Sequence, residues 1–166
     1  ISLQSNTRGS YNTAVGYNSL SANTFGNYNS AFGYKALNSN TTGNRNSAFG
    51  YSSLRLNTIG VRNTAFGYAS MLFNTTGIYN VSVGSNALNA NTTGSYNSAI
   101  GSLALNKNTE GNGNIAIGYQ ALNNSTTKDN NTAIGYRSML SNTEGYENTG
   151  IGKDALSANT TGFRNT

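Results

Sequence analysis

Asparagine recurs at a fixed interval of 17 residues along this chain. Asn12, Asn29, Asn46, Asn63, Asn80, Asn97, Asn114, Asn131, Asn148 and Asn165 form one unbroken column. Nine full repeats run from Asn12 to Arg164 without insertion or deletion; residues 1–11 are the tail of an earlier repeat, and 165–166 begin another. A strict short period builds a stack of like units, each packed only on its neighbours. It also sets the chain apart from a disordered Asn/Ser/Gly tract of similarly low charge, because disorder needs no fixed columns.

Counting each repeat from its Asn as position 1 shows what the unit is. Position 4 is Val15, Phe32, Phe49, Phe66, Val83, Ile100, Ile117, Ile134 and Ile151, all strand-favouring side chains. Position 5 is always Gly, position 13 always Thr, and position 15 is Gly except at Lys128. Position 9 is Leu20, Leu37, Leu54, Met71, Leu88, Leu105, Leu122, Met139 and Leu156. A 17-residue unit is too short for a helix-turn-helix pair. Two short strands, at positions 2–4 and 8–10, separated by Gly-containing turns, make one coil instead. The expected fold is therefore all-β, a parallel β-solenoid, with positions 4 and 9 as its core. All 15 charges fall at positions 6, 7, 10, 11 and 14–17. The charge-free columns must be the inside, tight turns or a contact surface.

Coils stacked at the strand spacing of ~4.8 Å give a rod roughly 43 Å long. The Asn columns at positions 1 and 12 can then bond amide to amide from coil to coil. Ser125 is the one break in the second column, and the same repeat loses its Gly to Lys128, so a distorted turn is expected there. Position 3 is Ala14, Ala31, Ala48, Ala65, Ser82, Ala99, Ala116, Ala133 and Gly150. Neighbouring strand residues face opposite ways. If position 4 fills the coil, position 3 faces outward, onto something that excludes bulk and charge. That makes the alanines the candidate protomer interface of a homo-oligomer.

The phrases NTAVG (12–16), NSAFG (29–33 and 46–50), NSAIG (97–101) and NTAIG (131–135) resemble the head repeat of YadA-type trimeric autotransporter adhesins. They are also similar to repeats of phage tail fibres and of fibre proteins that end in an intramolecular chaperone domain. The resemblance implies a left-handed β-roll with three chains side by side. It also implies that the bulky residue before the Gly fills the roll and the small residue before that lies towards the partner chains. About five residues per repeat carry the likeness, and the segment ALNSNTTGNR makes the unit longer than the family's usual one.

Little in the composition suggests catalysis. With no His and no Cys, the chain lacks the commonest general base and the thiol nucleophile, and no disulfide or thiolate metal site is possible. The carboxylates Glu110, Asp129, Glu144, Glu147 and Asp154 do not recur in one column, and Glu110 and Glu144, which share position 14, lie two coils apart, so neither a paired-carboxylate site nor a calcium-binding repeat is expected. The Gly-rich turns lack the GK[ST] ending of a phosphate loop. No cofactor is expected. The net charge of +5 is spread along the chain, too thin for nucleic acid, and no apolar run is long enough to insert in a membrane. The NTT triplets match glycosylation acceptors by formula, but an Asn ladder beside a Thr column accounts for them.

Two aromatic columns have two readings. Position 6 holds Tyr17, Tyr34, Tyr51, Tyr68, Tyr119 and Tyr136, and the column at position 17 holds Tyr11, Tyr28, Arg45, Arg62, Tyr79 and Tyr96. Stacked rings can simply brace the solenoid or pack between protomers. The Tyr/Arg strip of position 17 is also a candidate binding surface for a glycan or protein receptor. Thr arrays on a flat solenoid suggest ice binding, but here the Thr column is single-file. We therefore expect 1–166 to be one repeat domain, with no polar cap at either end, as an excerpt of a longer fibre. The expected role is an adhesive or structural shaft or head segment of an extracellular fibre, a bacterial adhesin or phage-type tail fibre. A self-assembling filament is the alternative, and an ice-binding solenoid the third.

Overall fold

The computed structural model describes residues 1–166, as nine three-residue strands and no helix. In chain order they are β1 (Thr13–Val15), β2 (Ser30–Phe32), β3 (Ser47–Phe49), β4 (Thr64–Phe66), β5 (Val81–Val83), β6 (Ser98–Ile100), β7 (Ile115–Ile117), β8 (Thr132–Ile134) and β9 (Thr149–Ile151). They form a single parallel sheet in sequence order, each strand paired with the next repeat's. The register equals the sequence period, Ala31 opposite Ala48 and Phe32 opposite Phe49. The chain is an all-β parallel β-solenoid with coils of 17 residues.

Only one of the two expected strands per coil forms. Positions 8–10 are a turn, with left-handed backbone on both sides of position 8: φ is 54° at Lys35 and 49° at Leu37. The cause is burial. Ala36 and Leu37 are consecutive and both fully buried, as are Ala87 and Leu88, which an extended strand cannot achieve because its neighbours face opposite ways. The left-handed region costs a branched residue about 1–2 kcal/mol. Inter-coil bonds hold it: Lys35 N–H donates back to Tyr17 O at 2.8 Å, and Leu37 N–H donates forward to Ser53 O at 3.1 Å. Of 109 backbone hydrogen bonds, 93 lie outside the strands, so the coil-to-coil ladder runs around nearly the whole perimeter.

The core is the inverse of the expectation at the strand. Ala31, Ala48, Ala65, Ala99, Ala116 and Ala133 are fully buried inside the coil, and Ala14 packs against the same cluster. These alanines are therefore not a protomer interface. Position 4 points outward: Val15, Phe66, Val83, Ile100 and Ile151 are exposed, and Phe32, Phe49, Ile117 and Ile134 are half-buried. The expected role of this column as core, and the implied role of the bulky residue before the Gly, are both overturned. The alternation was sound, but its direction is set by space. A Cβ placed on Gly150 would sit 3.0 Å from Met139 Cγ and 3.0 Å from Ser138 Oγ. The Leu/Met column thus fills the coil from the far side and leaves room for one methyl group at position 3. That column is core as expected, fully buried from Leu20 to Met139, with Leu156 packed against it in the last coil.

Polar ladders complete the interior. Asn40 Nδ2 donates to Asn23 Oδ1 at 2.9 Å, and Asn29 Nδ2 to Asn12 Oδ1 at 3.2 Å. Both columns also tie down one carbonyl: Gly43 O accepts from Asn29 Nδ2 at 2.8 Å and from Asn40 Nδ2 at 3.0 Å. Apart from Asn108 Oδ1, the buried ladder amides are thus satisfied without water, which is what permits Asn in a core this narrow.

The seventh coil is distorted, as expected. The bonds that positions 13–15 of other coils donate to the next Thr carbonyl, such as Thr75 N–H to Thr92 O at 2.9 Å, are absent between residues 126–128 and Thr143. Asn108 Oδ1 and Ser125 Oγ are buried with no partner. Across the seam, Asn124 Nδ2 reaches Leu140 O at 2.9 Å and Lys128 pairs with Glu144 at 2.8 Å.

Candidate binding surface

Two strips of the outer surface carry side chains that the fold does not itself consume. The first is the outward face of the sheet, positions 2 and 4 of every coil, extended sideways by the Tyr column at position 6. No charge interrupts positions 2 or 4 in any repeat. Rings stack along it at the coil spacing: Phe32 on Phe49 at 4.8 Å between centroids, Phe49 on Phe66 at 4.8 Å, and Tyr34 on Tyr51 at 4.8 Å.

The second strip is the corner formed by positions 16 and 17, where the backbone turns in the left-handed region just before each strand. The structure brings together all six residues named from the sequence for this strip, and orders them as aromatic pair, cation pair, aromatic pair. Tyr11 stacks on Tyr28 at 4.8 Å, Arg45 and Arg62 follow, and Tyr79 stacks on Tyr96 at 5.3 Å. The two arginines lean apart. Arg45 sits 5.8 Å from the Tyr28 ring centroid, and Arg62 sits 5.1 Å from that of Tyr79 and donates to its hydroxyl. Between them opens a concave site of about 380 Å³, lined by Tyr28, Arg45, Arg62 and Tyr79 over a floor of Asn27, Asn44 and Val61. These three floor residues escaped the sequence reading. They belong to position 16, the column adjoining the strip, and the seventeen-residue register was the signal that pointed to them.

The floor amides are already engaged. Asn44 Oδ1 accepts from Asn27 N–H at 2.7 Å, while Asn27 Nδ2 donates to Phe25 O and Asn44 Nδ2 to Thr42 O, both at 2.8 Å. What remains free to meet a ligand is the two guanidiniums and the Tyr rings. Neither guanidinium has an acidic partner, since the chain's two ion pairs are Lys128–Glu144 and Arg164–Glu147. The nearest carboxylate in sequence is Glu110: residues 1–106 contain Arg8, Lys35, Arg45, Arg55 and Arg62 and no acid, whereas residues 107–166 carry five cations and five acids. The positive charge of the chain is thus a property of its first half.

The Thr column at position 13 spends its hydroxyls internally. Thr41 Oγ1 donates to Thr58 O at 3.2 Å, Thr75 Oγ1 to Thr92 O at 3.0 Å, and Thr92 Oγ1 to Thr109 O at 2.9 Å. Comparison with family models, with curated proteins and with solved structures finds no match to this chain.

Proposed function

We propose that the chain is a shaft or head segment of an extracellular fibre, in which three copies pack side by side, each a left-handed roll, and present a receptor-contacting surface. One observation carries the assembly: on the outward face of the sheet position 4 is an uninterrupted apolar column left open to solvent, beside a charge-free and mostly Ser/Thr column at position 2. Val15 is 56% exposed, Phe66 52% and Ile151 67%. Together with the Tyr column this strip measures roughly 40 Å by 15 Å, ~600 Å² per chain, against the ~800 Å² per partner of a standard interface. Exposed apolar columns rimmed by polar residues mark interaction surfaces. The occupant is a further copy of the chain, because a partner with the same coil spacing meets the position-4 column row for row along all nine strands. The interface is therefore placed on positions 2, 4 and 6 and not on the buried alanines.

The likeness of the NTAVG-type phrases to YadA-type head repeats supports the adhesin or tail-fibre role. The filament alternative shares the same solenoid. Ice binding is disfavoured by the inward-donating Thr hydroxyls. Sedimentation equilibrium of the 166-residue, 17.4 kDa chain tests the proposal. A species of three times the chain mass is expected, dissociated by Phe49→Glu together with Ile117→Glu with the far-UV spectrum retained. A stable monomer refutes the side-by-side packing, and open-ended polymers favour the filament.

A further inference from the structure

The concave site between Arg45 and Arg62 deepens the binding-strip reading, on which it rests. We propose that it takes an acidic sugar unit, one bearing a sulfate or a carboxylate, with the anion held between the two guanidiniums and the sugar ring against Tyr28 and Tyr79.

The cation pair is costly to the free chain, and its visible contribution to the fold is limited to the contact of each guanidinium with one flanking Tyr. Its members lie one coil apart with like charge, and both hold left-handed backbone, φ 58° at Arg45 and 56° at Arg62. Each guanidinium turns away from the other onto a flanking ring, which is what opens the gap. An anion in that gap converts repulsion into charge-assisted bonds, and the planar donor fork of Arg matches a carboxylate or sulfate edge.

The same column shows this geometry satisfied elsewhere. Glu147 and Arg164 occupy position 17 in the eighth and ninth coils, and there Arg164 Nε meets Glu147 Oε2 at 2.7 Å. That hydrogen bond, with the charge behind it, raises the Arg164 pKa above its ordinary value. A column-17 arginine therefore reaches a carboxylate placed one coil away. At Arg45 and Arg62 no side chain supplies one, and no acid precedes Glu110 in the sequence.

The walls choose the rest of the ligand. Aromatic rings and Val61 offer apolar surface to the C–H face of a sugar, and the Asn amides below are already bonded, so charge must supply the polar recognition. At about 380 Å³ the site lies near the small end of ligand pockets, the size of one or two sugar units and not of a protein domain. The acid-free first half of the rod attracts anionic chains to it over a Debye length.

The test is a Tyr-fluorescence titration of the folded chain with four probes: a heparin-derived disaccharide, digalacturonate, maltose and inorganic sulfate. Saturable binding of the two acidic disaccharides is expected, at least tenfold weaker in Arg45→Gln/Arg62→Gln and unchanged in Arg137→Gln. All three arginines are exposed, and circular dichroism checks that the variants fold. Equal binding of maltose overturns the acidic-sugar assignment while leaving the strip as a sugar surface. Sulfate binding as tight as the disaccharides, an adventitious ion only, overturns it too. An equal loss in Arg137→Gln shows diffuse charge and no site. Binding of none of the four removes the strip reading together with this one.

Discussion

Ser125 and Lys128 break two column rules in the same coil, and the structure makes them one event. At the other position-15 glycines φ is not left-handed, so Gly is required for space alone. A Cβ on Gly77 would collide with the Gly94 carbonyl of the next coil and would lie 2.5 Å from Asn74 Oδ1, three residues earlier in the same coil. In the seventh coil the amide oxygen is missing, because position 12 is Ser125, and the bonds that hold positions 13–15 against the next coil are absent, so Lys128 can carry its side chain. Ser125→Asn alone therefore drives an amide oxygen into Lys128 Cβ and should destabilise by about 1–3 kcal/mol, the cost of overpacking. Ser125→Asn with Lys128→Gly restores the ladder: the new amide donates to Asn108 Oδ1 and accepts from Asn142 Nδ2. Relieving the two buried orphan atoms gains about 1–3 kcal/mol each. Against that stand about 0.5–1 kcal/mol for the added glycine and ~0.5 kcal/mol for the exposed Lys128–Glu144 pair. The double variant should be more stable by about 2–3 kcal/mol, and the coupling between the sites, the gain of the double added to the losses of both singles, should exceed ~3 kcal/mol. Urea unfolding of the four proteins, followed by circular dichroism, measures both quantities. Additive effects, or a single Ser125→Asn as stable as the double variant, would show that the two departures are unrelated.

The inverted core gives a paired test. Ala65→Leu should cost about 1–3 kcal/mol or prevent folding, because position 3 has space for a methyl group only. Phe66→Ser, one residue on, should leave the thermal stability of the isolated chain within ~1 kcal/mol yet weaken its self-association in sedimentation. At position 5, Gly50→Ala meets the Gly67 carbonyl, with Gly67 C at 2.8 Å, on a backbone of φ +134°. Both strain and clash oppose it, so the variant should lose more than ~3 kcal/mol or fail to fold, read from its unfolding midpoint.

The period, the coil length and the Asn ladders were legible because each is a column property, and columns survive any error about local geometry. The direction of the strand was not. Alternation says that Ala31 and Phe32 face opposite sides, but bulk suggested that Phe32 goes inside, as in most cores. The deciding fact is how much space Leu37 leaves across a coil this thin, and that is a distance between segments which no single column expresses. The missing second strand had no comparable signal. Positions 8 and 9 are adjacent and free of charge in all nine repeats, but so are positions 3 and 4, which do form a strand with one face to water. At the binding strip the six column-17 residues were visible in sequence, while the floor and the acid-free surroundings emerged once position 16 was seen beneath them.

The solenoid separates what folds the chain from what the chain can recognise. Every interior requirement falls on charge-free columns, where one methyl too many is felt. Position 17 is the opposite case: it accepts Tyr28, Arg45, Gly113, Asn130 and Glu147 on nearly one backbone, with φ between 55° and 66° along the whole column. Glycine and asparagine are the residues that adopt such a conformation most cheaply, and each occurs there once among the nine coils. The fold thus tolerates any side chain at this corner and by itself favours small ones. Large aromatic and cationic residues are held there against that local preference, in runs and not at random, and neither Arg45 nor Arg62 bonds to another coil's backbone through its side chain. Ring stacking and cation–π contacts between coils favour the aromatic residues and each arginine singly, but not two like charges side by side, and that pairing has to come from what the surface meets. For a rod whose interior is fixed coil after coil, recognition can be written only in such columns, and the Arg45–Arg62 site is where this chain departs furthest from what its fold alone would choose.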